Sequence, residues 1–255
     1  MDYQYVDPAL PRRLDGWHSP TLGLDLPIVS YGDRGHPLLL FPTAAADYLE
    51  CERFFLIKSI EPAIMAGRVR VISIESINSH AWMDNKVPVS EQARRQALYA
   101  RYVEEEVVPW IRSTGGTPTD RIATSGASFG GFHAANAFFR RPDLFDSVIA
   151  MSGFYDLAPD YLKGYSDDAC YYNNPVWYLA NLTGPRLEQL RTACRVVIVS
   201  GRGAYEAPEC SQVLSRLLTS LAVPHTLDLW GYDVNHDWPW WRRMLPHYVD
   251  ALWPI

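Results

Sequence analysis

"TSGASFGGFHAAN" (residues 124–136) holds Gly126-Ala127-Ser128-Phe129-Gly130, a serine set between two glycines. The GxSxG pattern alone is weak, because composition can supply it. Its flanks raise it. "RIATSG" reads as a short apolar strand and "FHAANAFF" as the helix after it. Ser128 therefore falls at a sharp strand-to-helix turn, where the chain is strained and closely packed. Gly126, Gly130 and Gly131 supply the small flanks such a turn needs. The turn lifts the hydroxyl above a sheet, and the helix aims its positive N-terminus at the same point. A phosphate loop would end in Gly-Lys-Ser/Thr, and a dinucleotide loop would read GxGxxG after the first strand. Neither is present.

Outward from this turn, short apolar runs alternate with longer helical patterns. "PLLLFPT" (37–43) and "RVRVISIES" (68–76) read as strands. "SEQARRQALYARYVEEEVVPWIRS" (90–113) reads as a long helix, with Ser90 as its N-cap and Pro109 bending its last turn. "DRIATSG" (120–126), "FDSVIAMSGFYD" (145–156), "CRVVIVSG" (194–201) and "HTLDLWG" (225–231) are strands. "PRLEQLRTA" (185–193), "CSQVLSRLLTSLA" (210–222) and "WPWWRRMLPHYVDALW" (238–253) are helices. Strands and helices alternating at these lengths predict an α/β fold: a mostly parallel central sheet with helices on both faces. Residues 155–184 form an irregular insertion rich in Tyr, Asn, Asp and Pro. No composition break marks a second domain, so one domain over residues 1–255 is expected.

A serine hydroxyl is a poor nucleophile until a base takes its proton. At a turn of this kind the chain order is serine, acid, histidine. Four histidines follow Ser128. His133 lies in the same helix, His225 opens a strand at its wrong end, and His247 lies inside the final helix. His236, in "GYDVNHDWPWW", follows the last strand and precedes the last helix. That is the carboxyl end of the sheet, where Ser128 also sits and where open α/β sheets place their sites. The acid should follow "CRVVIVSG". Glu206 stands just past that strand; Glu209, which also suits the start of the next helix, and Asp233, close to His236, remain alternatives. An oxyanion hole needs two donors. One is the backbone N–H of Phe129, and the other comes from Thr43, Ala44 or Ala45 in the loop after "PLLLFPT". Asn78, His80 and Trp82 either line a pocket at the same sheet end or belong to a surface loop. Trp238 is either helix packing or a pocket wall.

Composition excludes several classes. The formal net charge is −6 with no run of five like charges, which argues against nucleic acid and anionic membranes as partners. Hydrophobic residues make up 48% and charged residues 20%, an ordinary globular balance. Cys51, Cys170, Cys194 and Cys210 form no CxxC pair, so reduced thiols are expected and no metal site. No apolar leader or membrane-length stretch is visible, so a cytoplasmic location is expected. The oligomeric state stays open, a homo-oligomer included.

"LFPT", "YVEEEVVPWIR", "TSGASFGGFHAAN" and "NHDWPWWRRMLPHYV", in this order, resemble the esterase family of α/β-hydrolases that includes esterase D-like, feruloyl esterase-like and antigen 85-like proteins. The similarity runs from about Leu38 to Trp253. It implies an α/β-hydrolase fold without a separate lid domain, Ser128 as nucleophile, His236 as base, Glu206 as acid, a small-molecule ester substrate and no cofactor. Two departures stand out: the family's acid is often Asp, and its oxyanion loop often carries glycines where this chain has "AAA". Two rival readings remain, an acyltransferase on the same groups and a non-catalytic binding protein of the same fold.

Overall fold

The computed structural model describes residues 5–115 and 121–254. The chain opens with an antiparallel hairpin of β1 (Arg12–Ser19) and β2 (Leu24–Tyr31). Then come β3 (His36–Phe41), the short α1 (Glu50–Arg53), α2 (Leu56–Met65) and β4 (Val69–Ile74). Helix α3 (Val89–Tyr102) continues through a π-helical turn, Val103–Val107, into α4 (Val108–Gly115). After β5 (Ile122–Ala127), α5 (Phe129–Arg140) and β6 (Phe145–Met151), an insertion carries α6 (Asp168–Tyr171) and α7 (Pro175–Ala180). The chain closes with α8 (Pro185–Thr192), β7 (Arg195–Ser200), α9 (Pro208–Ser220), β8 (Thr226–Leu229) and α10 (Trp238–Leu252).

The strands form one eight-stranded sheet in the order β1-β2-β4-β3-β5-β6-β7-β8. Pairings from β4 through β8 are parallel, while β1 and β2 pair antiparallel with each other and with β4. Alternation along each inner strand splits the core into two layers. Leu39, Phe41, Ile72, Ile74, Val148 and Ala150 face one layer, together with Tyr99 of α3, Phe138 of α5 and Leu214 of α9. Leu38, Leu40, Val69, Val71, Ile149 and Met151 face the other, with Ile57 of α2 and Met244 of α10. Burial on both faces explains the continuous apolar run of β3, and in β4 it takes even Arg70 and Ser73 out of solvent.

The expected α/β-hydrolase architecture, with helices on both faces, is what the chain forms. Details differ. Ser90 does not cap α3; Pro88 occupies the N-cap and Val89 is the first helical residue. The chain does not bend at Pro109 itself. The irregularity is the π turn just before it, which is consistent with a proline that has no N–H to offer the carbonyl four residues back. The β1–β2 hairpin has no counterpart in the sequence reading, because most of β1 faces solvent. Asp120, where β5 was expected to begin, lies outside the described residues.

From β3 the chain crosses to β4 on one side and then returns past β3 to β5 on the other. The strand order therefore reverses between β3 and β5. That is the switch point, beyond the carboxyl ends, where open α/β sheets place their ligands. The loop after β3 and the turn after β5 flank it.

Candidate active site

Ser128 stands between β5 and α5 with φ +57° and ψ −123°, a left-handed conformation that only a tightly constrained turn imposes on serine. It occupies the N-cap position of α5, yet its hydroxyl makes no capping hydrogen bond. An ordinary N-cap serine spends its oxygen on a first-turn N–H. Here the hydroxyl is released, and the Phe129 N–H at the first helical position has no partner within the helix. The backbone of the turn is fixed from below, with Ser128 N–H donating to Met151 O at 3.0 Å.

Two of the flanking glycines are dictated by close approach. A Cβ on Gly126 would overlap the backbone of Gly130, and a Cβ on Gly130 would overlap the carbonyl of Phe41. Gly126→Ala is accordingly expected to destabilise the protein by ~3 kcal/mol, the scale of a forced overlap in a packed core. A thermal denaturation midpoint equal to that of the unaltered protein would contradict this reading.

Glu206 follows β7, and its side chain is only 1% exposed. Its Oε2 lies 3.4 Å from His236 Nδ1 and accepts the Ser200 hydroxyl at 3.1 Å. Its Oε1 accepts the Ser152 hydroxyl at 2.6 Å, and Trp241 Nε1–H donates in turn to Ser152 Oγ at 3.0 Å. Burial pushes the Glu206 carboxyl upward, but hydrogen bonds from His236, Ser152 and the Gly201 backbone outweigh it and leave it below the ordinary carboxylate value. The carboxylate is thus ionised and oriented. With Nδ1–H turned to it, the neutral imidazole carries its lone pair on Nε2. Glu209 sits instead in the first turn of α9, and Asp233 is exposed in the loop that carries His236; neither hydrogen-bonds to the imidazole.

The acid loop and the histidine loop are stitched together. His236 N–H donates to Ala204 O at 3.0 Å, Gly203 N–H to Val234 O at 2.8 Å, and Ala204 N–H to Asn235 Oδ1 at 2.8 Å. Asp237, not His236, caps α10. Every residue of "NHDW" therefore has a task. Trp238 stacks on Phe54 (4.7 Å between centroids) and meets Trp241 edge-on at 5.1 Å, so it serves as packing between α10 and the segment after α1.

Of the three residues considered for the second oxyanion donor, Thr43 is removed. Its N–H and hydroxyl are both held by the buried carboxylate of Glu50, at 2.7 Å each. Ala44 and Ala45 remain, with no acceptor for either N–H among the described residues. Ala44 has φ +40°, a conformation that a glycine would adopt without strain. Beside Ser128, Phe129 packs against Phe154 (4.8 Å) and Tyr161 (5.2 Å) from the segment after β6, which is thereby brought next to the elbow. Trp82 joins this cluster, while His80 is exposed. His133, His225 and His247 lie elsewhere. His133 is buried against Asn78, His225 bonds Ser215, and His247 packs on Trp230. A cavity of about 580 Å³ is lined by Glu104, the far end of α5, residues of α6 and α7 and the start of α8, and it includes neither Ser128 nor His236. Among the described residues no three His, Cys, Asp or Glu side chains converge into a metal site, and no helix is long and apolar enough to cross a membrane.

Sequence reasoning did not find Glu50, Ser76, Ser152, Ser200 or Trp241. Each acts through a hydrogen bond outside any regular helix or strand spacing, from six residues away (Ser200 to Glu206) to 89 (Trp241 to Ser152), and such links leave no local pattern.

The sheet order and the strand-to-helix elbow define an α/β-hydrolase fold. Residues 64–252 match the family model described as "Putative esterase", and the chain belongs to that family. Its fold is similar to that of a ferulic acid esterase (18% identity, TM-score 0.73, covering 96% of this chain and 98% of that one). It is also similar to S-formylglutathione hydrolase of Staphylococcus aureus (14%, TM-score 0.72, covering 95% and 98%). A third similar structure is MPT51 of Mycobacterium tuberculosis (17%, TM-score 0.73, covering 96% and 98%). No curated protein sequence matches the chain.

Proposed function

We propose that the protein is a serine esterase that cleaves carboxylic esters through an acyl-enzyme. Ser128 Oγ attacks the ester carbonyl while His236 Nε2 accepts its proton. Glu206 holds the imidazole in the productive tautomer and stabilises the imidazolium that forms. The Phe129 N–H and an N–H of Ala44 or Ala45 receive the oxyanion. Collapse of the tetrahedral intermediate expels the alcohol, protonated by His236. Water activated by the same imidazole then releases the acid and restores Ser128.

The observation that carries this reading is the buried, four-times-contacted Glu206 turned onto Nδ1 of a histidine at the carboxyl edge of the sheet. A merely structural carboxylate has no need of an imidazole left partly exposed at its far side. The rings of Phe129, Phe154 and Tyr161 favour an apolar acyl or alcohol group beside Ser128. The structures similar in fold include a ferulic acid esterase and an S-formylglutathione hydrolase, which is in keeping with the carbonyl chemistry proposed here.

The test is hydrolysis of p-nitrophenyl acetate and butyrate, with product analysis in the presence of added methanol. Free acid as the main product, with ester exchange only in proportion to methanol, is the expected result. Exchange dominating at low methanol would instead make the protein an acyltransferase. Absence of both activities in folded protein would leave a binding protein.

A further inference from the structure

The "AAA" loop lacks the glycine that would make its conformation easy, yet Ala44 is held at φ +40°. Something outside the loop holds it there. Two side chains from the end of β4 converge on the Ala44 carbonyl: Ser76 Oγ–H at 2.8 Å and Asn78 Nδ2–H at 2.6 Å. Both residues are buried, and Asn78 is fully so. Ser76 Oγ also accepts the Asn78 N–H at 3.2 Å, which ties the two together.

Asn78 is itself fixed from behind. Its Oδ1 faces His133 Nε2 at 3.1 Å. Burial lowers the His133 pKa to about 3, so the ring is neutral at physiological pH. Its Nε2–H donates to Oδ1, which leaves the amide nitrogen to point at Ala44. The His133 ring stacks between Phe41 of β3 and Phe129 of the elbow, at 6.0 and 5.7 Å. One buried chain of contacts therefore runs from the elbow helix through His133 and Asn78 to the loop after β3. Those are the two segments that supply the oxyanion donors.

In a trans peptide the C=O and the following N–H point in opposite directions. Fixing the Ala44 carbonyl inward fixes the Ala45 N–H outward and limits the freedom of the Ala44 N–H before it. We propose that Asn78, with Ser76, presets the oxyanion loop by gripping the Ala44 carbonyl, and so acts as a positioning residue for ester cleavage. It touches no substrate. Its contribution is that the donors need no reorganisation when the oxyanion forms, which is where preorganised dipoles gain their effect. The inference rests on the serine-esterase reading above.

The experiment compares the unaltered protein with Asn78→Ala, Asn78→Asp and Ser76→Ala. Four quantities are measured: kcat and KM for p-nitrophenyl butyrate, the inhibition constant of an alkyl trifluoromethyl ketone, and the thermal midpoint. Asn78→Ala is expected to lower kcat by about 30-fold, somewhat less than the direct loss of one oxyanion donor, with KM changed less than about threefold. The inhibition constant of the ketone, which mimics the tetrahedral state, should rise in step with the fall in kcat/KM. Asn78→Asp keeps the shape but turns an acceptor on Ala44 O, so it should not rescue. Ser76→Ala removes the smaller arm and should show the same kcat-selective pattern at about fivefold, which keeps the test decisive if Asn78→Ala fails to fold. Folded Asn78→Ala with kcat and ketone affinity within twofold of the unaltered protein would overturn the proposal alone. An unaltered protein that hydrolyses no ester would overturn the esterase reading and this inference with it.

Discussion

Ser128→Ala is expected to lower kcat for p-nitrophenyl butyrate by about 10⁴-fold or more while leaving the thermal midpoint unchanged or raised. The size follows from the role. Without the hydroxyl no acyl-enzyme forms, and what survives is the modest help of the oxyanion donors and of substrate binding to direct attack by water. The stability expectation follows from the geometry. Ser128 contributes no capping bond and sits at φ +57°, so the fold does not depend on its oxygen. A merely structural serine would show the reverse: lost stability with activity retained per folded molecule. Steady-state kinetics beside a melting curve separates the two.

Glu206→Gln is expected to lower kcat by roughly 10²- to 10⁴-fold with little change in KM. The amide is nearly isosteric, but it cannot stabilise the imidazolium, and its NH₂ group can force the wrong tautomer on His236. Glu209→Gln and Asp233→Asn should stay within about twofold of the unaltered protein, because neither side chain meets the imidazole. The same variant carries a stability signature. Against the upward push of burial, hydrogen bonds from His236 and Ser152 hold the Glu206 carboxyl below the ordinary carboxylate value in the folded protein. Its charged form therefore contributes stability above the unfolded value, and that contribution is lost as pH falls through the folded one. Urea midpoints of the unaltered protein and Glu206→Gln should differ at pH 7 and converge as the pH is lowered through the acidic range. A gap that stays constant down to pH 3 would contradict the linkage.

The parts of the site that were legible in the sequence are those where backbone crowding dictates residue type. Gly126 is set by the Gly130 backbone within the elbow and Gly130 by the Phe41 carbonyl of β3, and both constraints leave their mark as residue type in one short stretch. His236 was legible because the order of strand, loop and helix places it at one sheet end with Ser128. In sequence the carboxylate that meets His236 stays open among Glu206, Glu209 and Asp233, the first two only three residues apart. What separates them is the stitching of residues 203–204 to residues 234–236, a contact between loops about thirty residues distant. Thr43 looked as available as Ala44 until Glu50, seven residues on, was seen to occupy its N–H. The grip of Asn78 on a carbonyl 34 residues earlier has no sequence signature at all. In the fold, strands buried on both faces were read from their apolar runs, whereas β1 was missed because its residues mostly face water.

The most direct test of the central claim is labelling by a fluorophosphonate, which phosphonylates an activated serine and spares ordinary ones. After incubation at neutral pH, intact-mass analysis and peptide mapping should find one adduct per chain, on Ser128, absent from Ser128→Ala and strongly slowed in His236→Ala. Folded protein that takes up no label, or takes it up on another residue, would contradict the account.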